Sequence, residues 1–326
     1  MKILITGGSG FIGTNLIEML RGTLPHFTLL NIDIKAPFLL EQKIFWKSCN
    51  LLNSQEVESI VDGFQPDFCI HLAAETEMKY GSDIISDYPV NTTGSEQFLK
   101  ILKKYNVKRS LIVSTQYVCG PSEKLPLLPE EYWPHTAYGE SKVILEKNTR
   151  AIMDPGTFVI LRPTYIWGPW HYKNFLDLVK VIEKGFYFHP SGEPVLRSYG
   201  YVKNICSQII KLLIEYDKGQ DWFYVGDPVM DSYKFVNQLS MGLIGRPVIR
   251  VPRKLLFVMS KVGDFLGKFC RVPINSFRYR NMVTSYKTPM DPTISAFGKP
   301  LFSFEDAVKD YCHWRKSQTI SGQNEH

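Results

Sequence analysis

The sequence predicts an α/β protein: a doubly wound parallel sheet with a smaller, mostly helical second lobe. Three observations predict it. Short apolar runs alternate with helical stretches as far as about residue 165. Glycines cluster in the turn between the first apolar run and the first helix. Beyond about residue 165 the alternation is lost, and prolines and aromatics become frequent. Continuous apolar strands separated by helices belong to parallel sheets covered on both faces.

The elements follow in order. Ile3-Leu4-Ile5 is the first strand, and Phe11 to Leu20 has the pattern of a helix. Phe27 to Ile32, Asp67 to Leu72, Ser110 to Ser114 and Phe158 to Leu161 read as four more strands. Thr93 to Lys104 and Tyr138 to Arg150 are the clearest helices between them. Residues 1–165 are therefore expected to form one domain and 166–326 a second lobe. A further helix, Tyr201 to Ile214, and strand, Trp222 to Val225, suggest that 199–228 returns to the first domain. Residues 231–320 read as helical, and the polar tail Ser321 to His326 as disordered.

Composition narrows the function. With 326 residues, 44% of them hydrophobic, the chain can bury a sizeable core. A net charge of +6 falls short of a nucleic-acid binder and suits an anionic partner such as a diphosphate. The 6 cysteines form neither a CxxC pair nor a cluster with histidine, so reduced thiols, no metal and a cytoplasmic location are expected. Met1-Lys2 leads straight into a strand, which argues against a signal peptide. No apolar run reaches the ~18 residues of a spanning helix, so stable membrane insertion is not expected.

One segment is biased. Arg250 to Lys287 holds nine basic residues and one acid, Asp264. Within it Leu255, Leu256, Val258, Met259, Val262, Leu266 and Phe269 recur at helical spacing. The expectation is an amphipathic helix whose apolar stripe joins the core while its lysines are solvated. The alternative is a membrane-surface or phosphate-binding face.

Thr6-Gly7-Gly8-Ser9-Gly10-Phe11-Ile12-Gly13 leaves the first strand and opens the first helix. In such a turn Gly7 permits the tight bend, Gly10 lets a pyrophosphate approach the backbone, and Gly13 allows close helix–strand packing. Asp33, at the end of the second strand, stands where a carboxylate binds the adenosine ribose. The fold class is thus Rossmann-type. A carboxylate there would repel a 2′-phosphate, which favours NAD over NADP, although Lys35 lies close by.

Tyr138 and Lys142 stand four apart, on one face of a helix. A phenol with a pKa of about 10 is a poor base at neutral pH. A neighbouring ammonium favours the phenolate, which can then take a proton from an alcohol. Thr115 closes the fourth strand at its carboxyl end, where a hydroxyl could hold the reacting oxygen.

Together these residues resemble the extended short-chain dehydrogenase/reductases, in their nucleotide-sugar epimerase/dehydratase branch. The glycine turn, His71-Leu72-Ala73-Ala74, Asn91 with Gly94, Ser114 to Gly120, Tyr138 with Lys142, Leu161-Arg162-Pro163 and Gly168-Pro169 carry the resemblance. It implies that Thr115, Tyr138 and Lys142 are catalytic and that Lys142 also holds the nicotinamide ribose. It places Phe11 and Ile12 along the pyrophosphate, Asn50 and Leu51 near the adenine, and Leu72, Ala73 and Ala74 along the cofactor channel, with Asn91 in support. Asn174 and Arg197 match positions that hold the substrate diphosphate, and the two clear helices match a dimer-forming bundle.

Departures refine the expectation. Asn50 stands near a usual aspartate. Cys119 replaces a usual aromatic, as a packing change. Val202-Lys203-Asn204 lacks the usual helix-start carboxylate, leaving Asn204 to cap that helix. Gln116-Tyr117 replaces the Asp-Glu of the 4,6-dehydratases, which speaks against elimination. The expected activity is NAD-dependent C4 epimerisation of a nucleotide-diphosphate sugar by a homodimer. The alternatives are a 4-keto-sugar reductase or other alcohol dehydrogenase, more distantly a sterol-type enzyme, or a non-catalytic NAD-binding regulatory subunit.

Overall fold

A computed structural model of the chain describes residues 1–24, 26–77, 79, 83–122, 124–215, 219–267 and 274–320. Phe269, Cys270 and the tail from Ser321 to His326 lie outside them. The first half runs β1 (Lys2–Thr6), α1 (Phe11–Thr23), β2 (Thr28–Asp33), β3 (Trp46–Ser48), α2 (Ser54–Phe64), β4 (Phe68–His71), α3 (Ile84–Asp87), α4 (Ser95–Lys104), β5 (Arg109–Val113), α5 (Ala137–Ile152) and β6 (Phe158–Pro163). The second half runs β7 (Tyr165–Trp167), α6 (Asn174–Glu183), β8 (Phe188–Pro190), β9 (Leu196–Tyr201), α7 (Val202–Ile214), β10 (Trp222–Val225), β11 (Val229–Asp231), α8 (Ser232–Ile244), β12 (Ile249–Val251), α9 (Arg253–Leu266), α10 (Ser276–Val283), α11 (Asp291–Phe297) and α12 (Phe304–Ile320).

Among the described residues a parallel sheet of 7 strands runs in the order β10-β6-β5-β4-β1-β2-β3. Alternate side chains of each strand go to opposite faces. Ile3 and Ile5 pack with Leu16, Leu20 and Ile209 from α1 and α7. Leu4 packs with Val57, Leu99 and Leu145 from α2, α4 and α5. Full burial of each such side chain stabilises by ~1.5–3 kcal/mol. The strand order reverses between β1 and β4, so their carboxyl ends, Thr6 and His71, border the crevice where doubly wound sheets bind ligands. β10 lies beside β6, joined to the sheet from the later half of the chain. A separate core around Trp167, Phe175, Tyr201, Phe235 and Tyr311 underlies the smaller lobe.

The structure departs from expectation at several places. β3, β7, β8, β11 and β12 are 3 residues each, too short to show a period. α4 begins at Ser95 rather than Thr93 because Val90–Gly94 forms a π-turn. Asn204 does not cap α7. It is buried, and its amide bridges Asp227 Oδ1 at 2.9 Å and the carbonyl of Phe302 at 3.0 Å. Asp227, just after β10, accepts from the Tyr201 N–H at 2.7 Å at the start of α7, so it supplies a carboxylate to that helix start.

The apolar stripe of α9 is not core. Leu255, Val258 and Val262 are exposed, while Leu256, Ser260 and Gly263 are buried. A Cβ on Gly263 would stand 1.9 Å from the Ile274 carbonyl oxygen, so small residues bring α9 against the chain that leads into α10. Leu255, Val258 and Val262 then point outward.

Candidate active site

The glycine turn sits at the carboxyl end of β1. Gly7 has φ +72°, and a Cβ there would stand 2.6 Å from Ala73 Cα, so glycine is required both by the bend and by the exit from β4. A Cβ on Gly13 would stand 2.4 Å from Gly8 Cα, so the close packing it permits is against its own turn rather than a strand. A Cβ on Gly10 would meet only the Gly7 carbonyl at 3.3 Å. Gly10 starts α1 without a side-chain cap and with no acid in the first turn. That leaves the positive end of the helix for an anion.

Asp33 accepts from the Ser9 N–H at 3.0 Å and the Lys35 N–H at 2.9 Å, tying the end of β2 to the glycine turn. Burial raises its pKa, opposed by these amides. Asn50 is exposed and accepts from the Leu52 N–H at 3.0 Å, while Leu51 is buried. Leu72, Ala73 and Ala74 leave β4 half-buried beside the turn, with the Ala73 N–H on Thr6 Oγ1 at 3.3 Å. Asn91 is fully buried; its amide donates to Ser141 Oγ at 3.0 Å and to the Glu75 carbonyl at 2.9 Å. It thereby joins the loop after β4 to α5. This donor set fits a dinucleotide: a glycine cradle, an uncapped helix start and the Asp33 carboxylate at the end of β2 stand beside one crevice.

Tyr138 and Lys142 both lie on α5, which Thr136 caps by accepting the Gly139 N–H at 3.0 Å. The Thr115 hydroxyl accepts the Tyr117 N–H at 3.3 Å and favours the ionised form of the Tyr138 phenol. Burial raises the phenol well above its ordinary value; the Thr115 hydroxyl pulls it down. Lys142 does not counter that burial here. It is itself buried, donates to the Val113 carbonyl at 3.0 Å, and is pushed down to about 7. The rings of Tyr88 and Tyr117 lie 6.3 Å and 6.4 Å from that of Tyr138.

Behind these residues stands a supporting layer that sequence reasoning did not assign. His71 bridges Thr6 Oγ1 at 2.7 Å and Ser95 Oγ at 2.9 Å, and burial pushes it down to about 3, so it serves as a neutral strut. Glu146 is one helical turn beyond Lys142, and that spacing could have found it. It takes Arg162 through two oxygens at 3.0 Å and 2.7 Å, and Ser114 Oγ at 2.5 Å. Tyr286 donates to the Gln116 carbonyl at 2.8 Å from 170 residues away, with no local signal.

The two substrate candidates sit apart in the chain. Asn174 opens α6 from an exposed position. Arg197, on β9, donates to the Thr284 carbonyl at 2.8 Å and to that of Asn281, both at the carboxyl end of α10. Its charge also lowers the pKa of Tyr117 against the burial that raises it. Cys119 is buried, donates to the Glu131 carbonyl at 3.2 Å and has its pKa raised by burial, the state of an inert thiol.

Among the described residues no helix is long and apolar enough to cross a membrane. Comparison with known proteins places this geometry. A model of the NAD dependent epimerase/dehydratase family matches residues 3–226. A GDP-6-deoxy-D-talose 4-dehydrogenase of Aggregatibacter actinomycetemcomitans is 30% identical over 74% of this chain and 81% of its own. An N-acetyl-alpha-D-glucosaminyl-diphospho-ditrans,octacis-undecaprenol 4-epimerase of Escherichia coli O157:H7 is 26% identical over 82% of this chain and 80% of its own. The Bordetella bronchiseptica enzyme WbmG, solved with NAD, superposes with a TM-score of 0.72 at 21% identity, over 98% of this chain and 95% of its own. With the glycine turn, the tyrosine–lysine helix and the Rossmann-type sheet all in place, this chain belongs to the NAD dependent epimerase/dehydratase family.

Proposed function

We propose that this chain inverts the hydroxyl-bearing C4 centre of a nucleotide-diphosphate sugar. The observation that carries the reading is that Tyr138 and Lys142 share α5, with Lys142 donating to the Val113 carbonyl at 3.0 Å, so that Thr115 follows the same strand end near the crevice that the glycine turn borders. NAD, when bound, supplies a reversible hydride acceptor whose positive ring also favours the phenolate. Gly7, Gly10, Phe11, Ile12 and Gly13 would hold its pyrophosphate and Asp33 its ribose, with Lys142 at the second ribose.

Tyr138 takes the C4 hydroxyl proton and returns it to the inverted alcohol. Thr115 holds the same oxygen and donates to the phenolate, opposing the burial that disfavours it. Gln116 and Tyr117 put no acid beside the sugar, so elimination has no proton donor of the dehydratase kind. Arg197 is the side chain we assign to the diphosphate, with Asn174. The α4–α5 pair is the surface proposed for a homodimer.

The test is incubation with NAD and a panel of UDP-, GDP-, dTDP- and CDP-sugars, with products resolved by NMR. C4 inversion without net NADH is expected, and Tyr138→Phe should bind NAD and turn over nothing. Stoichiometric NADH, or consumption of added NADH, would instead establish a 4-dehydrogenase or 4-keto reductase. That second reading is favoured by the Aggregatibacter actinomycetemcomitans relative.

A further inference from the structure

Helix α9 is amphipathic the wrong way round for a protein surface. Its buried face is Leu256, Ser260 and Gly263. Its outer face carries Leu255, Val258 and Val262, which are 51%, 56% and 52% exposed. They recur at the i, i+3, i+7 spacing of one helical stripe, which an ordinary surface helix turns toward the core. Lys254 and Lys261 are exposed and flank the stripe on the next helical positions.

The charges around the stripe are mostly basic, with one acid beside Lys261. Asp264 is the only acid from residue 250 to residue 287. Its carboxylate is engaged at the start of α10, accepting the Ser276 N–H at 2.9 Å and the Ser276 hydroxyl at 2.5 Å. No other acid stands in the segment to oppose an anionic partner. An apolar stripe edged by lysines on a helix too short to span a bilayer is the form of a helix lying in the membrane interface.

We infer that α9 docks this protein on an anionic bilayer surface, the apolar stripe entering the headgroup–acyl boundary and the lysines meeting lipid phosphates. α10 packs on α9 through Tyr279 against Phe257, with ring centroids 5.6 Å apart, and its carboxyl end is held by Arg197 near the catalytic loop. The inference does not depend on which sugar is the substrate.

Co-sedimentation of the full chain with phosphatidylcholine vesicles, with and without phosphatidylglycerol, tests it. Binding to the anionic vesicles alone is expected, weakening as salt is raised. Lys254→Gln and Lys261→Gln should each weaken it about fivefold, the effect of one basic side chain near such a surface. The double variant Val258→Glu, Val262→Glu should abolish it, and because both sites are exposed its melting temperature should match the parent. Failure of the parent to bind, equal binding to neutral vesicles, or unchanged binding by the variants overturns the inference. So does a dimer that Val258→Glu dissolves in the absence of lipid while the parent ignores vesicles, since the stripe would then belong to a second copy.

Discussion

Lys142 donates to the Val113 carbonyl at 3.0 Å, so the catalytic helix is anchored to the strand that delivers Thr115. A buried amine satisfied in this way, and pushed down to about 7, is only partly charged at neutral pH and holds a phenolate less firmly than a full ammonium would. The hydroxyl of Thr115 is then the group in hand that favours ionised Tyr138. Thr115→Val should therefore lower kcat/KM by roughly 10²-fold or more. It should also move the rising limb of the pH–rate profile to higher pH, because the phenol loses the donor that lowers its pKa. A rate loss with an unmoved limb would assign Thr115 to substrate positioning alone.

Gly10 and Gly13 lie in one motif but should fail differently. A Cβ on Gly13 meets the Gly8 backbone at 2.4 Å, which cannot yield without reshaping the turn. Gly13→Ala should lower the melting temperature and NAD affinity together. At Gly10 the nearest atom is 3.3 Å away, so Gly10→Ala should fold with an unchanged melting temperature. Its methyl would occupy the approach of the pyrophosphate, and NAD binding measured by calorimetry should drop sharply.

Arg162 and Glu146 are both fully buried and paired through two contacts, with the guanidinium also 4.7 Å from the Trp222 ring. Removing one partner leaves a buried charge uncompensated. Arg162→Met and Glu146→Leu should each destabilise by about 3–5 kcal/mol in urea unfolding. The double variant should lose less than the sum, since neither charge is then stranded.

The sheet and the tyrosine–lysine helix were legible because both depend on local sequence. Ile3 to Ile5 and Leu111 to Val113 are apolar on both sides, and a parallel strand covered by helices needs that. Tyr138 and Lys142 share a helix face by spacing alone. What escaped was set by tertiary contact. Tyr286 reaches Gln116 across 170 positions. The stripe of α9 was read as core because periodicity identifies a face and not its partner; Gly263 against Ile274 decides which face turns in. Asn204 was read as a cap since its residue type favours caps, yet Asp227 had already taken the Tyr201 N–H.

Asp227 offers the sharpest pH test. Burial pushes its carboxyl up to about 7 from an ordinary 3.8, against the hydrogen bonds from Tyr201 and Asn204. A raised pKa means that the folded state binds the proton more tightly than the unfolded chain. The resulting stability is full below about pH 4 and is lost as pH rises to about 7, above which the difference is constant. The parent should thus lose on the order of 2–4 kcal/mol from this group across that window. Asp227→Asn cannot titrate. Its amide can still accept from the Tyr201 N–H, but it turns a donor toward the Asn204 amide, so the variant should be less stable at acid pH. The stability gap between parent and variant, measured by urea unfolding at intervals from acid to neutral pH, should therefore shrink as pH rises. A gap that stays constant would show that the Asp227 carboxyl is already ionised in the folded protein at low pH.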